Sequence, residues 1–111
     1  MNTFKKANTF IGATTTQISV LITNLNKRNN IYIFPASTNT DTVIFDYATP
    51  TTPILTAGNG VVLGEGLALP VGAFYSSTLY LSDDLVASGV LFYFLAASGT
   101  QKVTLTWEPL V

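Results

Sequence analysis

In several stretches of this chain apolar residues recur at every second position, and that period limits what it can fold into. In Gln101-Lys102-Val103-Thr104-Leu105-Thr106-Trp107, the apolar Val103, Leu105 and Trp107 alternate with Lys102, Thr104 and Thr106. Successive side chains of an extended strand point to opposite faces, so such a segment turns one face to a core and the other to water. Thr16 to Ile22 places Ile18, Val20 and Ile22 together, and Thr42 to Tyr47 does the same for Val43, Phe45 and Tyr47. Ile31-Tyr32-Ile33-Phe34 and Val90 to Leu95 are apolar on both faces. They read as central strands, or as strands covered by a neighbouring subunit. The inward sets predict a core of Ile18, Val20, Ile22, Ile33, Phe45, Val103, Leu105 and Trp107. No segment carries the 3.6-residue period of a long amphipathic helix.

Turn signals separate the runs. Asn24 to Asn30 reads as a hairpin loop, and Pro35 to Asp41 is rich in Ser, Thr and Asn. Ala48 to Gly60 holds Pro50, Pro53 and Asn59-Gly60 and reads as the longest loop. Asn-Gly favours turns because both residues tolerate positive φ. Ser82-Asp83-Asp84 ends a strand and fits the cap of a short helical turn running to Gly89. Ser98-Gly99 makes the final turn. The spacing gives about seven or eight antiparallel strands. The fold class is all-β, a single small antiparallel β-sandwich, jelly-roll-like or Ig-like, favoured over a barrel. Residues 16–111 form the sandwich domain, and residues 1–15 are either an N-terminal arm or the first strand.

Charged residues are only 10% of the 111-residue chain while apolar ones are 48%. The usual charged share is about 25%, so Thr, Asn and Ser must supply the polarity of the surface. A net charge of −1 gives weak mutual repulsion, and such proteins tend to associate. Lys5-Lys6 and Lys27-Arg28 are isolated basic pairs, better read as solvated tips than as a phosphate-tracking surface. Residues 7–12 are too polar and too short for a signal-peptide core. No run has the length of a membrane span, so synthesis and assembly in a cytoplasm are expected.

Cysteine and histidine are absent. That removes disulfides, thiolate metal sites, and the Ser-His-Asp and Cys-His nucleophilic arrangements. The carboxylates Asp41, Asp46, Glu65, Asp83, Asp84 and Glu108 show no spacing that brings two together for acid–base work. Asp83-Asp84 lacks the alternating oxygen ligands of a calcium loop. In Gly58-Asn59-Gly60-Val61-Val62-Leu63-Gly64 the third glycine falls one residue late for a dinucleotide loop, and neither a helix nor a Lys follows. A turn entering a strand explains it. Phe74-Tyr75 and Phe92-Tyr93-Phe94 read first as core and cross-strand pairs. No enzyme and no cofactor are expected.

The order of parts resembles small β-sandwich structural proteins of bacteriophage particles. The resemblance is carried by a first strand at Ile18 to Asn24, a basic tip at Asn26-Lys27-Arg28-Asn29-Asn30 and the strand Ile31-Tyr32-Ile33-Phe34. It continues through the Gly-rich turn at Gly58 to Leu63, the aromatic Gly72-Ala73-Phe74-Tyr75 and the closing Ala96 to Leu105. It implies a virion component, of the capsid decoration, cement or minor capsid type. The implied partners are the major capsid protein or other virion proteins, in a homo-oligomer. No nucleic acid, small-molecule substrate or membrane span is implied, and the place of work is the virion, assembled in the host cytoplasm. Partner-contact candidates are Phe4, Lys5, Lys6 and Phe10 in the N-terminal segment, with Lys27 and Arg28. The alternative is a carbohydrate- or receptor-binding module of a phage appendage, whose mark would be an exposed row of aromatic rings.

Overall fold

The computed structural model describes residues 7–47, 53–58, 61–64 and 66–110. Among them are ten strands and one short helix. These are β1 (Ala7–Ala13), β2 (Ile18–Ile22), β3 (Arg28–Pro35), β4 (Val43–Tyr47), β5 (Leu55–Gly58), β6 (Val61–Gly64), β7 (Leu67–Leu69), β8 (Tyr75–Tyr80), α1 (Asp83–Ser88), β9 (Val90–Ala96) and β10 (Gln101–Leu110). The count exceeds the expected seven or eight through the short pieces β5, β6 and β7.

Two four-stranded sheets face each other, in the orders β1-β10-β3-β8 and β2-β9-β4-β7. Every pairing is antiparallel. Up to β4 the chain changes sheet at each strand, and again from β7 to β10. Its last strands therefore slot between its first: β10 lies between β1 and β3, and β9 between β2 and β4. That is the wiring of a jelly roll, with β5 and β6 added as a hairpin between β4 and β7.

The core lies between the sheets, where Ile22, Ile33, Phe45, Val103 and Leu105 are all buried. Phe92 and Phe94 of β9 join Ile22 and Phe45 of their own sheet, across from Ile33, Val103 and Leu105. Ile18, Val20 and Trp107, expected to be buried, are only half-buried, though they pack on this core. β2 is an edge strand, so Ile18 and Val20 lack a neighbour on one side. Trp107 sits near the end of β10, beside a cavity of about 400 Å³ that it lines with Ala7, Thr23, Asn24 and Pro109.

Asn24 to Asn30 is not a hairpin loop. β2 and β3 belong to opposite sheets, and Arg28, Asn29 and Asn30 are already in β3. The corner is closed by Asn29, which has no exposed surface. Its Oδ1 accepts from Asn26 N at 2.8 Å and its Nδ2 donates to Asn26 O at 2.7 Å. Asn39 and Gln101 act likewise. Asn39 Nδ2 donates to Lys102 O at 2.8 Å and its Oδ1 accepts from Lys102 N at 2.7 Å. Gln101 accepts from Thr40 N and donates to Ser98 O, each at 2.9 Å. Buried backbone groups cost free energy when unpaired. In a chain with few charges, these amides take the place of missing strand partners.

The expected helical turn is present. Ser82 Oγ accepts from Leu85 N at 3.4 Å, and the amide of Gly89 donates to Leu85 O at 2.8 Å. Gly89 has φ of +83°, and a Cβ there would come within 2.6 Å of Ile22 O. The loop expected over Ala48 to Gly60 contains β5. Of that stretch 48–52, with Pro50, and Asn59-Gly60, where a turn was expected, lie outside the described residues; Gly58 pairs with Val61.

Candidate functional site

The two sheets differ in what lies on their outer faces. On β4 and β9, Ile44, Tyr93 and Leu95 point away from the main core and yet are buried. Leu55 of β5 covers them, with Leu91 and Ala68 at the margin. Gln17 ties this cover down: its Oε1 accepts from Leu55 N at 2.9 Å, and its Nε2 donates to Pro53 O at 3.0 Å. Tyr93 and Leu95, outward on β9, are thus buried by the chain's own β5.

Among the described residues, nothing covers β3 in this way. Its outward residues include Tyr32 and Phe34, and Phe34 is 42% exposed. In the register of the sheet, Phe10 of β1 lies opposite Thr104 of β10, and Thr104 lies opposite Phe34. Phe74 stands just before β8, next to Phe34, with the ring centroids 5.9 Å apart and the planes 22° from parallel. Tyr32 stacks on Phe34 from the next position along β3, at 6.1 Å and 9°. One row, Phe10–Thr104–Phe34–Phe74, therefore crosses β1, β10 and β3 and ends at the start of β8. Phe10 is 82% exposed and Phe74 64%. Beside Phe10 an apolar cavity of about 510 Å³ opens, lined also by Gly12, Ala36, Lys102 and Thr104.

Most of the remainder of this face is polar, with Leu110 and the exposed Tyr80 flanking Arg28 at its far end. Thr106 Oγ1 donates to Asn8 Oδ1 at 2.7 Å, and Asn30 Nδ2 donates to Glu108 Oε1 at 3.1 Å. Asn30, Tyr32, Ser76, Ser77 and Thr78 line a shallow furrow of about 300 Å³. Contiguous exposed apolar surface bordered by polar residues marks interaction sites on soluble proteins.

The carboxylates are scattered. Asp41, on a loop, accepts from the Ser98 hydroxyl at 2.5 Å. That bond, with the Thr42 amide second, holds its carboxyl below the usual aspartate range. Asp46 Oδ1 accepts from Tyr47 N at 2.8 Å. Asp83 and Asp84 occupy the first turn of α1. Burial, helped by Tyr75 and Asp46, raises the Tyr47 phenol above its ordinary value. Among the described residues no three His, Cys, Asp or Glu side chains gather as metal ligands. Glu65 lies outside the described residues.

The sequence-predicted contact residues do not form one group. Phe4, Lys5 and Lys6 lie outside the described residues. Lys27 pairs with Asp83 at 3.1 Å on an exposed surface, a contact of about 0–1 kcal/mol. Arg28 lies in β3 opposite Leu110 and Tyr80. Phe10 alone belongs to the aromatic row. It stands on β1, whose Ile11 and Ala13 are buried in the core. Phe34 and Phe74 were missed as contact residues. Alternation along Ile31 to Phe34 does mark Tyr32 and Phe34 as sharing a face, but it does not tell which face is covered.

No family model matches the chain, and no curated protein matches it. One solved structure is similar, a protein from work describing Bacillus endospore appendages as a novel family of disulfide-linked pili. The likeness has a TM-score of 0.52 at 14% identity, over 98% of this chain and 88% of that one. It shows that the fold is shared.

Proposed function

We propose that this chain is a non-enzymatic structural subunit that packs against protein in a repeated assembly. The observation that carries the reading is the contrast between the two outer faces. The chain lays β5 over Ile44, Tyr93 and Leu95, but leaves Phe10, Phe34 and Phe74 open on the outer face of the other four-stranded sheet. Large exposed aromatic side chains supply much of the binding energy where proteins meet. The similar fold in a protein described as forming pili supports an assembly role. Those pili are disulfide-linked, whereas this chain has no cysteine, so its own contacts would not use disulfides. In its finer form the reading is a bacteriophage virion protein that decorates or cements a capsid. It would work in the virion, against the major capsid protein or another virion protein.

A second reading has its own observation. The polar furrow along Asn30, Ser76 and Thr78 runs beside the stacked Tyr32 and Phe34 rings, an arrangement that suits a saccharide. Two measurements separate the readings: sedimentation of the chain from its native source, and a glycan array probed with the purified chain. The structural reading expects the chain in the fast-sedimenting particle or filament fraction, its loss from that fraction on combining Phe34→Ser with Phe74→Ser, and no saccharide signal. A free monomer with saccharide affinity that this double change removes would overturn it.

A further inference from the structure

We infer that the aromatic row is covered by a second copy of this chain, laid face to face about a two-fold axis that runs along the strands between β10 and β3. The inference rests on the structural-subunit reading and names the partner of that same face.

The register carries the argument. A two-fold axis placed there puts β1 of one copy over β8 of the other, and β10 over β3. Along the aromatic row, Phe10 then meets Phe74 of the second copy, and Thr104 meets Phe34. Large therefore faces large at the margin, while small faces large at the centre. The open space beside Phe10 lies where the second copy's Phe74 arrives, and Gly12 leaves it clear, with nothing within 4 Å of a Cβ built there. In the next row Asn8 meets Ser76 and Thr106 meets Tyr32, so polar groups face polar groups.

Charge agrees with the same operator. Among the described residues, the charged ones on this face are Lys102, Glu108 and Arg28. Ala36 donates its amide to Lys102 O, which places it beside Lys102 on the β3 side; Asn30 pairs with Glu108 and Arg28 with Leu110. The axis therefore sets Lys102 over Ala36, Glu108 over Asn30 and Arg28 over Leu110. No like charges meet, and a net charge of −1 per copy adds little repulsion at longer range. An axis running across the strands would instead stack Phe10 on Phe10 and Phe34 on Phe34. It would leave the Glu108 and Arg28 rows outside the contact.

The size of the face sets the strength. With strands about 4.8 Å apart and residues about 3.4 Å apart, the outward surface spans on the order of 400 Å². A stable pair usually needs about 800 Å² from each partner. The copies should therefore exchange in dilute solution and hold where a lattice repeats the contact.

Cross-linking reads the geometry. The chain has no cysteine, so an introduced thiol stands alone. Asn8→Cys and Ser76→Cys are made in separate full-length chains, both at exposed positions that leave the aromatic row intact. Packed sheets lie about 10 Å apart and a disulfide needs Cα atoms within about 7 Å, so a bis-maleimide of matching span is used. The expected result is a covalent dimer in the mixture of the two variants, absent from either alone, and lost when Phe34→Ser is added to both. Linkage of the Asn8→Cys variant to itself would overturn the proposed axis. No linkage in the mixture, from a chain that still enters native assemblies through Phe34 and Phe74, would overturn the second copy while leaving the structural-subunit reading in place. Failure of both would remove both.

Discussion

Leu105 and Thr104 are neighbours on β10 with opposite surroundings. Leu105 has no exposed surface and lies at the centre of the core, while Thr104 is half-buried on the outer face between Phe10 and Phe34. Leu105→Ala should cost about 2–5 kcal/mol, the lost transfer energy plus the cavity left behind. Thr104→Ala should cost about 0.5 kcal/mol or less. Urea unfolding of both variants checks this, and equal shifts of the midpoint would contradict the facing of β10. Phenylalanine shows the limit of reading at this scale. Phe92 and Phe94 are buried while Phe10, Phe34 and Phe74 are exposed. Residue type cannot separate the two groups, because the outcome depends on which sheet face another element happens to cover. The buried amides were equally illegible. Asn29 in a polar run looks like a loop residue, but it lies in β3 and its side chain pairs with the backbone of Asn26 in the connection before it.

Among the elements, β1 carries the sharpest expectation. It pairs with β10 along its whole length, from Ala7 with Trp107 to Ala13 with Gln101, and it buries Ile11 and Ala13. A chain starting at Thr14 would lose those contacts and bare the edge of β10. Ile11 alone is worth about 2–5 kcal/mol on truncation to Ala, a large part of the 5–15 kcal/mol that holds a typical domain. The truncated chain should melt at a much lower temperature, or without a cooperative transition, when followed by circular dichroism. An unchanged melting temperature would contradict β1 as a core strand. Strong alternation made β10 and β4 legible in the sequence, and the Ser82 cap with Gly89 did the same for α1. β5 was hidden inside a proline-rich stretch. It is held less by its own pattern than by the Gln17 side chain and the apolar patch on β4 and β9. The corner between β2 and β3 misled because a hairpin and a change of sheet use the same turn residues.

At the scale of the whole molecule, the jelly-roll wiring turns a weak local pattern into two sheets with different outer faces. One is closed by the chain itself, and the other presents aromatic rings to whatever lies beside it. If those rings serve association rather than folding, their removal should leave the fold intact while abolishing contact between molecules. Phe34→Ser combined with Phe74→Ser removes two exposed rings, neither of which belongs to the buried core of the sandwich. Sedimentation equilibrium over a wide range of concentration, run on the wild type and on this double variant, tests the claim most directly. The account predicts a wild-type mass that rises with concentration from monomer towards dimer, and a double variant that stays monomeric throughout with an unchanged melting temperature. A wild type that remains monomeric at every concentration, or a double variant that associates as strongly as the wild type, would contradict it.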